Sequence, residues 1–111
     1  MSKRPVELLL DDVCEAIDKI EQYISGMSFD IFSKDNKTID AVVRNLEIIG
    51  EASNRLPADF KDSHPQIEWH KVVGLRHRIV HEYFGIDLQI VWQILQKDLP
   101  SLRDALSQIR G

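Results

Sequence analysis

The segment PVELLLDDVCEAIDKIEQYISG, Pro5 to Gly26, reads as one helix with a single apolar side. Val6, Leu9, Leu10, Val13, Ala16, Ile17, Ile20 and Ile24 recur at the three- and four-residue intervals of a helical face. Asp11, Asp12, Glu15, Asp18 and Glu21 occupy much of the remaining surface. Proline suits the first helical position, and Ser25-Gly26 suits the end. Such a helix must lay its apolar stripe against other helices.

Outward from this segment the same period returns. Phe29, Ile31 and Phe32 form a short apolar knot, read as a helical turn closing one end of the core. A second long helix begins around Asn36–Thr38, where capping residues cluster. Ile39, Val42, Val43, Leu46, Ile49 and Ser53 make its buried stripe, and Pro57 follows its end. Gly50 inside that helix costs about 1 kcal/mol against alanine, which points to close approach of another helix. A third helix is expected to start near Pro65, preceded by Ser63 or His64, and to stop near Gly85. A fourth takes Asp87 as N-cap and carries Leu88, Val91, Trp92, Leu95, Leu99, Leu102, Leu106 and Ile109. Pro100 should kink that helix or split it in two. No segment alternates like a strand. The fold expected is all-α: an antiparallel up-and-down bundle of four to five helices, forming a single domain over residues 1–111.

Composition agrees. The chain has 111 residues, 43% hydrophobic and 29% charged, which is globular rather than disordered. Its net charge of -4 argues against a broad nucleic-acid-coating surface but leaves room for a local basic groove. Lys71, Arg76, His77 and Arg78, with His70 beside them, form such a stretch, and Lys71–Arg78 contains no acid. Cys14, the one cysteine, excludes an internal disulfide and a cysteine-based metal site, and reads as inert packing. Without an export signal or an apolar run of spanning length, a cytoplasmic protein with no membrane partner is expected.

The third segment holds the chemistry. On a helical wheel Trp69, Val72, Val73, Val80 and Tyr83 share a face, flanked by Leu75 and Ile79, with Arg76 in its middle. A buried guanidinium needs a partner or a cleft. An acid such as Glu47 or Glu51 on the second helix is one answer, and an oriented arginine that binds phosphate is another. His70, Gly74, His77 and His81 line the edge of that face, and Gly74 leaves a gap for a substrate or a second helix. Histidine as base and arginine as electrostatic clamp suffice for metal-free RNA cleavage through the 2′-hydroxyl. Any one surface histidine, however, is more often structural. His77 and His81 also have zinc-ligand spacing, but HExxH is absent and no third ligand accompanies them, so neither metal nor cofactor is expected.

The motifs Arg44-Asn45-Leu46-Glu47-Ile48-Ile49-Gly50-Glu51-Ala52, Pro65-Gln66-Ile67-Glu68-Trp69 and Gly74-Leu75-Arg76-His77-Arg78-Ile79-Val80-His81-Glu82-Tyr83-Phe84, then Ile86-Asp87 and Val91-Trp92, occur in this order. Together they resemble the HepT-like toxins of the HEPN superfamily, prokaryotic proteins often encoded beside a minimal nucleotidyltransferase. The resemblance covers nearly the whole chain, most strongly from Arg44 to Leu102. It implies a helical homodimer with the motif helices facing across a cleft, and a metal-independent endoribonuclease toxin acting on RNA. Its catalytic arginine and histidine would be Arg76 and His81. His77 stands where the family often has asparagine and would assist. Tyr83 would accept AMP from the nucleotidyltransferase antitoxin, silencing the toxin. On an unbroken helix Tyr83 would lie in line with Arg76, so the AMP phosphate would block the cleft. His81 would lie about 140° from Arg76, which suggests that two protomers complete one site. The alternative reading is a non-catalytic nucleotide- or protein-binding partner of a nucleotidyltransferase. A purely structural dimeric bundle would leave Arg76 unexplained.

Overall fold

Pro5 starts the first helix: its carbonyl accepts the N–H groups of Leu8 and Leu9, both at 3.0 Å. In the computed structural model, which describes residues 4–81 and 85–110, α1 spans Val6–Ile24. It buries Leu9, Leu10, Val13, Ala16, Ile17 and Ile20, six members of the apolar stripe read from the sequence. The apolar knot is α2 (Phe29–Lys34), capped by the Ser28 hydroxyl, which accepts from the Ile31 N–H at 3.2 Å. Phe32 is fully buried, its ring centroid 5.2 Å from that of Trp92. The second long helix, α3 (Asn36–Arg55), is capped by Asp35 and packs along α1. A short helix absent from the sequence reading, α4 (Ala58–Ser63), follows Pro57. Its Phe60 packs on Trp69, the ring centroids 6.1 Å apart. One apolar anchor in six residues is too faint a period to read from sequence.

The third segment departs from expectation. It is not one helix to Gly85 but α5 (Trp69–Val73), α6 (Leu75–Ile79), and a hairpin of β1 (Val80–His81) with β2 (Gly85–Ile86). The strands pair antiparallel, Val80 opposite Ile86 and His81 opposite Gly85. Gly74 keeps the helical bond of its N–H to the His70 carbonyl at 3.0 Å, but its ψ of 12° departs from the helical value and turns α6 relative to α5. The Ile79 carbonyl, which a continuing helix would offer to residue 83, instead accepts the Asp87 N–H at 2.8 Å. Gly85, at φ 79°, takes the left-handed conformation this return requires.

Asp87 caps the last helical rod as expected, accepting from the Gln89 and Ile90 N–H groups at 3.1 Å. The rod runs through α7 (Leu88–Gln93), a π-helical turn (Ile94–Asp98) and α8 (Leu99–Arg110). Pro100 does not split it. The wide turn, closed by the Leu99 N–H on the Ile94 carbonyl, sits where proline leaves the Gln96 carbonyl without its helical donor. Arg103 pairs with Asp18 at 2.5 Å and Glu21 at 2.7 Å, and Arg110 pairs with Asp11, so α8 is clamped to α1. Hydrogen bonding to Asp18 and Asp11 holds both guanidinium pKa values above their ordinary level. The architecture is an all-α bundle carrying one small hairpin. Among the described residues no helix is long and apolar enough to cross a membrane.

Candidate active site

The site is built from the contact of α3 with α5 and α6. Gly50 makes it possible: a Cβ at that position would lie 3.3 Å from the carbonyl oxygens of both Val72 and Val73. The close approach inferred from a glycine in mid-helix is therefore present. α6 then turns Leu75 and Ile79, four residues apart, into the core, where they are almost completely buried.

That packing sends Arg76 and His77 outward. The side chain of Arg76 is 74% exposed, and its Nε lies 3.8 Å from Oε2 of Glu47 on α3. The sequence reading put Arg76 in the middle of an apolar face. The structure corrects this, because a wheel drawn across residues 69 to 83 assumes a continuous helix, whereas the phase is reset at Gly74. Leu75 and Ile79, read as flanking residues, are the buried face. Val80, read as buried, is 43% exposed. The carboxylate facing Arg76 is Glu47, one of the two acids suggested, while Glu51 pairs with Arg55 at 3.0 Å.

His70 and His77 are both exposed, but the expected histidine row ends there, since His81 lies on β1 rather than on the helix. The angle of 140° between Arg76 and His81 does not apply, because the chain is extended from Val80. At about 3.3 Å per extended residue, the His81 backbone lies roughly 7 Å beyond the end of α6. The His81 side chain and Tyr83 lie outside the described residues, so the in-line relation of Tyr83 to Arg76 no longer has a helix to rest on. Among the described residues no group of three or more His, Cys, Asp or Glu side chains is placed to hold a metal ion.

Arg78 points away from Arg76. Its Nη1 meets Oδ2 of Asp98, on the π-helical turn, at 2.7 Å. The pair borders a cleft of about 250 Å³ floored by Ile67, Val72, Leu75 and Leu102, with Lys97 at its edge. The sequence reading missed both pair and cleft. They join residues 20 apart, and no local pattern around Arg78 marks its partner.

An exposed guanidinium with one loose partner, a histidine beside it and a second histidine just beyond the helix end are what the chain offers to an anionic ligand. The family described as "Ribonuclease HepT-like" matches residues 13–109. The chain belongs to this HepT-like family. It is 42% identical over 108 residues to "Probable ribonuclease HepT" of Thermococcus cleftensis, covering 97% of this chain and 98% of that protein. It is 38% identical over 115 residues to "Putative RNase MJ0127" of Methanocaldococcus jannaschii, covering 100% of this chain and 95% of that one. A Caldanaerobacter subterraneus protein, "Putative RNase TTE0752", is 35% identical over 100 residues, 90% of this chain and 89% of its own. No solved structure matches the chain.

Proposed function

We propose that this HepT-like chain is a metal-independent endoribonuclease, the toxin of a toxin–antitoxin pair. The observation that carries the reading is the exposure of Arg76: an arginine whose only partner among the described residues is a carboxylate 3.8 Å away contributes little to the fold. It is free to bind phosphate. The names of the relatives, all ribonucleases, point to RNA as the substrate.

In the proposed reaction His81 takes the proton of a 2′-hydroxyl. The 2′-oxygen attacks the neighbouring phosphorus, and the bond from phosphorus to the 5′-oxygen breaks. The proton is then delivered to the departing 5′-oxygen. Arg76 neutralises charge on the pentavalent phosphorus centre, with His77 assisting. The products are a 2′,3′-cyclic phosphate and a 5′-hydroxyl, and no metal takes part. The working form is a homodimer. Val80 and Ile86, 43% and 36% exposed and directly opposed on the hairpin, give a second protomer an apolar contact beside the site. The chain acts in the cytoplasm. A cognate minimal nucleotidyltransferase silences it by transferring AMP to Tyr83, two residues after His81.

The test is incubation of the purified protein with mixed RNA in excess EDTA, beside Arg76→Ala and His81→Ala. Cleavage by the wild type alone, leaving cyclic phosphate ends, is the expected result. Undiminished cleavage by His81→Ala would sink the mechanism. An intact mass raised by one or more AMP units would mark a silenced sample. An unmodified wild type that cuts nothing but binds nucleotide would favour the alternative, a non-catalytic helical partner of the nucleotidyltransferase.

A further inference from the structure

Two contacts set how α3 runs past the motif segment. Gly50 lies against the carbonyls of Val72 and Val73, and Glu47 lies against Arg76. Three residues back along α3 correspond to about three residues forward along α5 and α6, so the two stretches run in opposite senses. Extending this course by one more helical step, from Glu47 back to Arg44 and from Arg76 on to Ile79, carries Arg44 toward the level of the end of α6. His81 follows shortly after that end.

Arg44 is exposed and makes no ion pair or hydrogen bond among the described residues. It stands out in this chain. Arg4, Arg55, Arg78, Arg103 and Arg110 all have a carboxylate within 3.0 Å. Glu47 thus sits between two outward arginines, Arg44 on its own helix and Arg76 on α6. Two guanidinium groups against the one carboxylate of Glu47 leave Arg44 as the cation without a close partner on the side of α6 that carries the proposed chemistry.

We infer that Arg44 is a positioning residue that binds a backbone phosphate of the RNA strand flanking the phosphate held by Arg76. This rests on the ribonuclease reading above. Guanidinium is suited to the task because its planar fork grips two phosphate oxygens at once. Arg44 would fix the register of the strand over the site without touching the reacting atoms.

The experiment measures binding of a fluorescein-labelled single-stranded RNA by anisotropy, and its cleavage in EDTA, for wild type, Arg44→Gln, Arg44→Lys and Lys19→Gln. Lys19 lies on α1, paired with Glu15, and its substitution removes the same charge elsewhere. Arg44→Gln is expected to weaken binding and raise KM by about tenfold, the size of one charged hydrogen-bond contact, with kcat within about twofold. The slope of log Kd against log salt should fall by about 0.7, the share of one single-strand phosphate. Arg44→Lys should recover part of the affinity, and Lys19→Gln should match wild type. Arg44→Gln with wild-type Kd and salt slope, and an unchanged circular dichroism spectrum, would overturn the inference. So would equal losses in Arg44→Gln and Lys19→Gln, which would mean that only net charge matters. A wild type that binds RNA without cutting it would defeat the nuclease reading alone, since anisotropy still judges Arg44.

Discussion

The Nε of Arg76 on α6 stands 3.8 Å from the carboxylate of Glu47 on α3, and both side chains face solvent. So loose and exposed a pair contributes at most about 1 kcal/mol. Arg76→Ala should therefore melt within a few degrees of the wild type, yet lose RNA cleavage by about a hundredfold or more. Thermal denaturation and a cleavage assay on the same preparations check this. A large drop in melting temperature would return Arg76 to a structural role.

Arg78 and Asp98 form the opposite kind of pair. They are joined at 2.7 Å, each about two-thirds withdrawn from solvent, and they tie the end of α6 to the π-helical turn. Arg78→Ala and Asp98→Ala should each cost about 1 kcal/mol, and the double variant little more than either single one. A double-mutant cycle in urea would measure the coupling. Full additivity would show that the two residues stabilise the fold independently.

These two arginines, two residues apart, also show what the sequence alone reveals. The helix cap at Asp87 and the close contact at Gly50 were legible, because each is written in local chemistry: a side-chain oxygen before an apolar run, or a missing Cβ inside one; the cap of α3 was placed around Asn36–Thr38, whereas Asp35 just before them makes it. The apolar stripes of α1 and α3 were legible because a long helix repeats its period many times. The break at Gly74 and the end of α6 were not. The first rests on the backbone angle at Gly74, and the second on who claims the Ile79 carbonyl, which is Asp87, eight residues on and past a hairpin. Once the helix was assumed unbroken, the wheel turned Arg76 inward and misplaced the buried face. The motif residues were assigned by resemblance, which does not depend on that phase.

Gly50 supports the site from beneath. Two backbone carbonyls, which cannot swing aside as a side chain can, stand 3.3 Å from where its Cβ would be. Gly50→Leu should push α5 off α3, costing about 3 kcal/mol and lowering the melting temperature by roughly 10 °C or more. Cleavage should fall with it, since α6 is carried by α5. Differential scanning calorimetry decides the matter, and an unchanged melting temperature would mean the two helices separate without cost.

The cap of α3 gives a prediction in pH. Asp35 accepts the Thr38 N–H at 3.1 Å and the Thr38 hydroxyl at 2.8 Å. These bonds, the backbone one first, hold its carboxyl below the ordinary aspartate range. A folded pKa below the unfolded one means that unfolding takes up protons. The stabilisation is therefore complete above the unfolded value and is lost as pH falls through the folded one. Asp35→Ala should melt below the wild type at neutral pH, and the gap should narrow as pH falls below about 4, the ordinary aspartate value. Melting curves from pH 7 down to pH 2.5 for both proteins would test this. A gap that stays constant across that range would show that the charge on Asp35 has no part in capping α3.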